Sequence, residues 1–163
     1  MSSKNSFEKH ALQLGKIVGN LLTIEMAARL AIVKLDKFTA SKVHTQLPQV
    51  KEGDLVELNA FTNADDLRQT IEKYNKRASL DCKIDVGAIV NLRDALAHGR
   101  VFGFGNMKHL RLLKFSRKQK ADEVLVTLAQ DMTETWFDTN IVMLNQAITK
   151  IRTSLDYQII ELP

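Results

Sequence analysis

The sequence predicts a mainly α-helical protein, an up-and-down helical bundle with a small antiparallel β insertion before the last helix. Apolar residues recur at three- and four-residue steps over most of the 163 residues, and only two prolines and seven glycines interrupt them. Between about residues 100 and 130 the pattern changes to alternation. The length fits one domain, 1–163, and the 45% of hydrophobic residues can form a core.

The first helix is predicted from Ser6 to about Phe38. Between Leu21 and Val33 it is apolar nearly all round, which predicts a central helix covered by its neighbours. Glu25 and Arg29 lie one helical turn apart. This spacing favours an ion pair between them over a role for Glu25 in a functional site.

Two glycines, Gly15 and Gly19, share one face of this helix. Glycine lowers helix stability, so a pair of them predicts the close approach of another backbone. A contact within the same chain is the favoured interpretation, and a second copy of the chain is the other.

The next two helices follow a connection over residues 39–60. One is predicted from Thr62 to Ala78, because Thr62 and Asp65 have capping-box spacing and an apolar stripe of Leu67, Ile71 and Tyr74 follows. The other runs from about Asp85 to His98. Gly99 follows His98 at once and is a natural stop.

Three extended segments come next, at residues 100–104, 109–116 and 123–129, with a charged hairpin turn over 116–122. The apolar alternation is interrupted between Leu112 and Leu113, which predicts a bulge or a twist there. The last helix is predicted from near Thr133 to about Asp156.

Several classes of protein are disfavoured by the totals. No apolar run without charges is long enough to span a bilayer, and residues 1–5 lead into a charged amphipathic segment, so we expect a cytoplasmic protein with no membrane association. Cys82 is the only cysteine, which excludes an internal disulfide, and a small, partly buried side chain is its expected role. His10, His44 and His109 lack metal-ligand spacing, so neither a metal nor another cofactor is expected.

The net charge of +4 is unevenly distributed. Between residues 100 and 120 there are seven basic residues and no acidic one: Arg100, Lys108, Arg111, Lys114, Arg117, Lys118 and Lys120. This cluster fits either a solvated hairpin or a surface for nucleic acid, where it would follow the phosphate backbone. Phe102, Phe104 and Phe115 lie between the charges, as in base-stacking surfaces, but a position in the core is favoured for them.

One segment, residues 91–99, carries candidate chemistry. Arg93 is followed five positions later by His98, at the end of an otherwise apolar helix. On an ideal helix these two side chains point about 140° apart, whereas Asn91, Asp94 and His98 share a face. Asp94 could therefore accept a hydrogen bond from the His98 ring, and Asn91 could assist.

The residue types suit phosphodiester chemistry. The helix C-terminus and a nearby carboxylate favour a protonated imidazole, and a histidine that exchanges a proton near pH 7 can act as a general acid or base. Arg93 is permanently charged and can stabilise a phosphate or a phosphorane. Together they suffice for attack of a ribose 2′-OH on the adjacent phosphodiester. The alternative is a capping role for His98, with Arg93 paired to Asp94 or Asp85.

The segment Arg93-Asp94-Ala95-Leu96-Ala97-His98 resembles the motif of the HEPN superfamily, which is arginine, a polar residue, three more residues and histidine near the end of a bundle helix. Active members are metal-independent ribonucleases that work as dimers with a composite site. The resemblance implies a homodimer that cleaves RNA, as a toxin or as an RNA-targeting defence factor. It also implies a partner protein, an antitoxin or a protein of nucleotidyltransferase type. The alternative function is a non-catalytic module that binds nucleotide, RNA or a partner protein.

Overall fold

The computed structural model describes residues 3–36, 49–104 and 107–156. They form four α-helices and a three-stranded antiparallel sheet that precedes the last helix, so this part of the predicted fold class is confirmed. The elements are α1 (Ser3–Leu35), α2 (Leu67–Asn75), α3 (Val86–His98), β1 (Arg100–Phe102), β2 (Leu110–Lys120), β3 (Glu123–Met132) and α4 (Glu134–Asp156), with a short 3-10 turn at Leu80–Cys82. No helix in the described ranges is long and apolar enough to cross a membrane.

The chain divides into two compact units. The first contains residues 1–21 and 87–145, and the second contains residues 22–86 and 146–163. In the first unit, Ile17 of α1, Ile89 of α3 and Phe137 of α4 are almost fully buried. Leu112 and Met132 are also buried, so one face of the sheet forms part of the core of this unit. This unit contains both the Arg93–His98 segment and the basic strands.

The second unit is held together by apolar residues and by one buried hydroxyl. Leu67, Ile71 and Tyr74, the predicted stripe of α2, are all buried, which confirms that prediction. The Tyr74 hydroxyl lies 3.1 Å from the Cys82 carbonyl oxygen and 3.1 Å from Ser154 Oγ. Burial raises the pKa of Tyr74, so this hydroxyl stays protonated and can donate.

The first helix differs from its prediction in two respects. It runs from Ser3 to Leu35, and Phe38, its predicted end, is outside the described residues together with the rest of 37–48, including His44. The apolar stretch is not covered all round, because Leu22 is 64% exposed and Met26 is 51% exposed. Hydrophobicity on every face of a helix was a poor guide here, because neighbouring elements pack on only one side of these residues.

We expected another backbone of the same chain to approach Gly15 and Gly19 closely, and this prediction was wrong for the described residues. A methyl group built on either glycine meets no other part of the described chain within 4 Å. The predicted ion pair between Glu25 and Arg29 is confirmed, with Arg29 Nη2 3.0 Å from Glu25 Oε1. Arg29 also donates hydrogen bonds to the backbone carbonyls of Ala60 and Asn63, and it thereby anchors the loop that precedes α2.

Helix α2 begins later than predicted. Its capping box is formed by Asp66 and Gln69 rather than by Thr62 and Asp65. The Asp66 side chain accepts from the Gln69 backbone N–H at 2.8 Å, and the Gln69 side chain accepts from the Asp66 N–H at 3.0 Å. Asp65 instead binds the Lys73 ammonium, and that hydrogen bond lowers the pKa of the Asp65 carboxyl. The sequence offered two capping registers, at Thr62 and at Asp66, and the structure forms the second.

The sheet follows the order β1-β2-β3, and its strands differ in length from the prediction. β1 ends at Phe102, β2 continues to Lys120, and the turn is reduced to Ala121 and Asp122. The irregularities in pairing lie between Lys114 and Phe115 and between Phe115 and Gln119, not between Leu112 and Leu113. Leu112 and Leu113 remain in register because Leu112 is fixed in the core while the distal hairpin is exposed.

Candidate active site

The predicted site residues lie on the second half of α3, in the first unit. Asn91 and His98 are exposed, whereas the Arg93 and Asp94 side chains are each 34% exposed. Ile89, Leu92 and Ala95 are buried and anchor the helix. Asn91, Asp94 and His98 lie on the outer side, whereas Arg93 is one turn after Ile89, at the edge of the buried face.

The contact of Asp94 is the one that the alternative interpretation gave, a pair with Arg93, and not the favoured bond to His98. Arg93 Nη1 lies 3.0 Å from Asp94 Oδ1, so Asp94 pairs with Arg93. No hydrogen bond or ion pair of His98 is found within the described residues, and the predicted bond from its ring to Asp94 is therefore absent there. The His98 imidazole is therefore exposed to solvent, and the Asp94 carboxylate pairs with the Arg93 guanidinium.

Gly99 is required at the end of α3 because strand β2 passes very close to it. A Cβ at this position would lie 2.5 Å from Leu112 Cδ1 and 3.0 Å from the Leu113 carbonyl oxygen. It would also collide with the Ala95 carbonyl oxygen, which accepts the Gly99 N–H at 2.8 Å. The helix ends where predicted, but close packing rather than a left-handed backbone explains the glycine. Because Gly99 packs against β2, the adjacent residue His98 is held close to the sheet.

The basic residues of the sheet lie on a surface with some acidic neighbours. Arg100 and Arg111 are on the face opposite Leu112, and Arg111 Nε lies 3.8 Å from Asp131 Oδ1. Arg117 and Lys118 belong to the irregular part of the hairpin, where Ser116 Oγ accepts from the Lys118 N–H. Lys108 is exposed and Lys114 is half-buried, whereas the Lys120 side chain is not among those that the structure describes.

The expected core position of the three phenylalanines was largely wrong. Phe104 is 69% exposed and Phe115 is 37% exposed, while Phe102 is half-buried. The rings of Phe102 and Phe104 are in contact, with centroids 5.6 Å apart and a tilt of 48°. Sequence alternation identified these strands but could not tell which face the helices cover.

A cavity of about 610 Å³ lies in the second unit and was not anticipated from the sequence. Its lining includes Arg77, Cys82, Lys150 and Ser154. Both cationic side chains already have partners. Arg77 forms a bidentate ion pair with Asp36, and Lys150 donates a hydrogen bond to the Lys83 carbonyl oxygen. Cys82 is buried, as its expected structural role requires.

Of the other histidines, His10 and His109 are described by the structure and neither shows ligand geometry. Across the described ranges, no three His, Cys, Asp or Glu side chains gather where they could hold a metal ion. His10 is buried against Phe137, with ring centroids 5.7 Å apart, which is a packing role.

Comparison with known proteins gives no relative. No family model matches the chain, and no curated protein or solved structure matches it significantly. The residues of the site and their geometry are therefore the basis for inferring a function.

Proposed function

We propose that this protein is a metal-independent endoribonuclease of HEPN type, acting as a homodimer of up-and-down helical bundles. The observation that carries the proposal is the state of His98. It is exposed, it has no hydrogen-bonding partner in the described part of the chain, and Arg93 precedes it on the same helix. Its ring nitrogens are therefore open to solvent and to a substrate, as proton transfer to or from RNA requires.

The reaction needs a proton acceptor, a proton donor and a stabiliser of negative charge. One imidazole removes the proton from a ribose 2′-OH, and the oxygen attacks the adjacent phosphorus. The guanidinium of Arg93 stabilises the phosphorane that forms. The bond to the 5′ oxygen breaks, an imidazolium protonates this leaving oxygen, and the products are a 2′,3′-cyclic phosphate and a 5′-OH.

A second chain supplies what one helix lacks. Arg93 and His98 are separated by about 7.5 Å along the helix axis and by about 140° around it, so one pair does not converge easily on a single phosphate. A two-fold axis near α3 places the same residues of both chains opposite each other. Two histidines can then divide the roles of base and acid. We expect sedimentation to show a dimer at micromolar concentration, and a strict monomer would contradict this part of the proposal.

Asp94 acts on Arg93 in this proposal. The ion pair between Arg93 Nη1 and Asp94 Oδ1 keeps a carboxylate beside one edge of the guanidinium. The remaining N–H groups stay available for phosphate oxygens. Asp94→Asn should therefore lower activity less than Arg93→Ala does, because the cation remains.

The test is cleavage of labelled single-stranded RNA in the presence of EDTA, followed by analysis of the ends. His98→Ala should lower the rate by about 10²–10⁴-fold, and Arg93→Ala by a similar factor, because each removes a group that acts in the transition state. Arg68→Ala is the matched control, since Arg68 is an exposed arginine on α2 in the other unit. Cleavage that persists in both His98→Ala and Arg93→Ala would locate the reaction elsewhere.

A second function, a non-catalytic module for RNA, nucleotide or a partner protein, is favoured by one observation. Asp94 compensates the charge of Arg93 within the chain, and this lowers the field that a phosphorane would meet. The resemblance implies an antitoxin or a nucleotidyltransferase-type protein as the partner. The same assay separates the two functions, because the module binds RNA but leaves it intact.

A further inference from the structure

The outer face of the sheet combines aromatic rings with arginines. In the pairing of β1 with β2, Phe102 is opposite Arg111 and Arg100 is opposite Leu113. Residues opposite each other in antiparallel strands project on the same face, and so do residues two apart along a strand. Arg100, Phe102 and Arg111 therefore share one face, which is opposite to the face where Leu112 is buried.

Phe104 extends this face beyond the end of β1. Its ring contacts the ring of Phe102, and 69% of its side chain is exposed to solvent. Folding did not bury this ring, although an aromatic side chain gains considerable free energy from burial. The exposed ring offers a flat surface on which a nucleic-acid base can stack.

The charge of the protein is concentrated in the same region. Residues 100–132 contain seven basic and three acidic residues, whereas the rest of the chain contains sixteen of each. The sheet region thus accounts for the whole net charge of +4. Arg111 is held only loosely by Asp131, at 3.8 Å, and its side chain is 45% exposed. It can turn to a phosphate without losing a close hydrogen bond.

We infer that this face is a binding platform for single-stranded nucleic acid, in which Phe104 and Phe102 stack on bases while Arg100 and Arg111 hold phosphates. The inference deepens the proposed function, on which it rests for the class of ligand, and it specifies an unpaired strand. Bases in a duplex are stacked on each other, and a shallow sheet face cannot reach their planes. Single strands expose the planes, so aromatic rings on a sheet select them.

The test measures binding without cleavage, in the His98→Ala variant, by fluorescence anisotropy with a labelled 12-nucleotide RNA of mixed sequence. Phe104→Leu should weaken binding by about 5- to 100-fold, because leucine keeps an apolar side chain but removes the stacking surface. Phe102→Leu should also weaken RNA binding. Phe7→Leu is the matched control, since Phe7 is 66% exposed on α1 of the same unit, and its affinity should match that of the parent.

Salt dependence separates stacking from phosphate contacts. Arg111→Gln should reduce the slope of log affinity against log salt by about 1, whereas Phe104→Leu should leave the slope unchanged. Single-stranded DNA of the same sequence should bind nearly as well as the RNA, and the blunt RNA duplex should bind more weakly.

Two results would overturn the inference: Phe104→Leu binding within twofold of the parent, or the duplex binding as tightly as the single strand. Unfolding curves of each leucine variant check that the fold is intact. Because the binding assay uses a variant without His98, failure of the platform and failure of the cleavage proposal are separate outcomes.

Discussion

The same substitution should have opposite effects at two glycines of this protein. At Gly99, a methyl group would collide with the backbone oxygen of Ala95, lie 3.0 Å from that of Leu113 and meet Leu112 Cδ1 at 2.5 Å. Leu112 is 1% exposed, so it has little room to move. At Gly15 a methyl group meets nothing within 4 Å. The two positions therefore separate steric exclusion from helix propensity.

The expected magnitudes follow from these contacts. Overpacking a tight site typically costs 1–3 kcal/mol, and two backbone oxygens that cannot rotate away place Gly99→Ala at the upper end, about 3 kcal/mol. Gly15→Ala should raise the free energy of unfolding by about 1 kcal/mol, because alanine favours the helix more than glycine does. With a denaturant slope of about 2 kcal/mol/M, the urea midpoint should fall by about 1.5 M in the first variant and rise by about 0.5 M in the second.

Urea unfolding followed by circular dichroism measures both midpoints under one set of conditions. A Gly99→Ala protein within about 0.5 kcal/mol of the wild type would refute the packing of β2 against the end of α3. It would also remove the reason for the position of His98 beside the sheet. A destabilised Gly15→Ala protein would instead mean that another backbone does approach this face of α1.

Two further predictions concern the second unit. Tyr74→Phe should lower the free energy of unfolding by about 1–2 kcal/mol, because the buried Cys82 carbonyl loses its hydroxyl donor; an unchanged urea midpoint would contradict that bond. The pKa of the Asp65 carboxyl is lower in the folded chain than in the unfolded chain, because Lys73 binds the carboxylate. This pair therefore stabilises the fold above about pH 4. The stabilisation is lost as the pH falls through the pKa of the folded state. Asp65→Asn should therefore show a smaller difference in urea midpoint between pH 7 and pH 3 than the wild type, and an equal difference would show that other groups control the acid response.

The sequence predicted the elements well because their signals are local. The apolar stripe of Leu67, Ile71 and Tyr74 and the ion pair of Glu25 with Arg29 depend on residues within one or two helical turns. The change of period near Arg100 correctly marked the sheet. The predicted start of α2 was wrong because Thr62 and Asp66 both offered plausible caps. The cap forms at Asp66, while Asp65 contacts Lys73 of the same helix and Arg29 of α1.

For the candidate site, the residues and their order on one helix could be read from the sequence: Arg93, Asp94 and His98, followed by a glycine and basic strands. Their pairing and the exposure of each surface became known from the folded chain. It joined Asp94 to Arg93, left His98 exposed, and covered the Leu112 face of the sheet rather than the Phe102 face. Alternation along a strand defines two faces but does not name the buried one, because burial depends on residues that are distant in the chain.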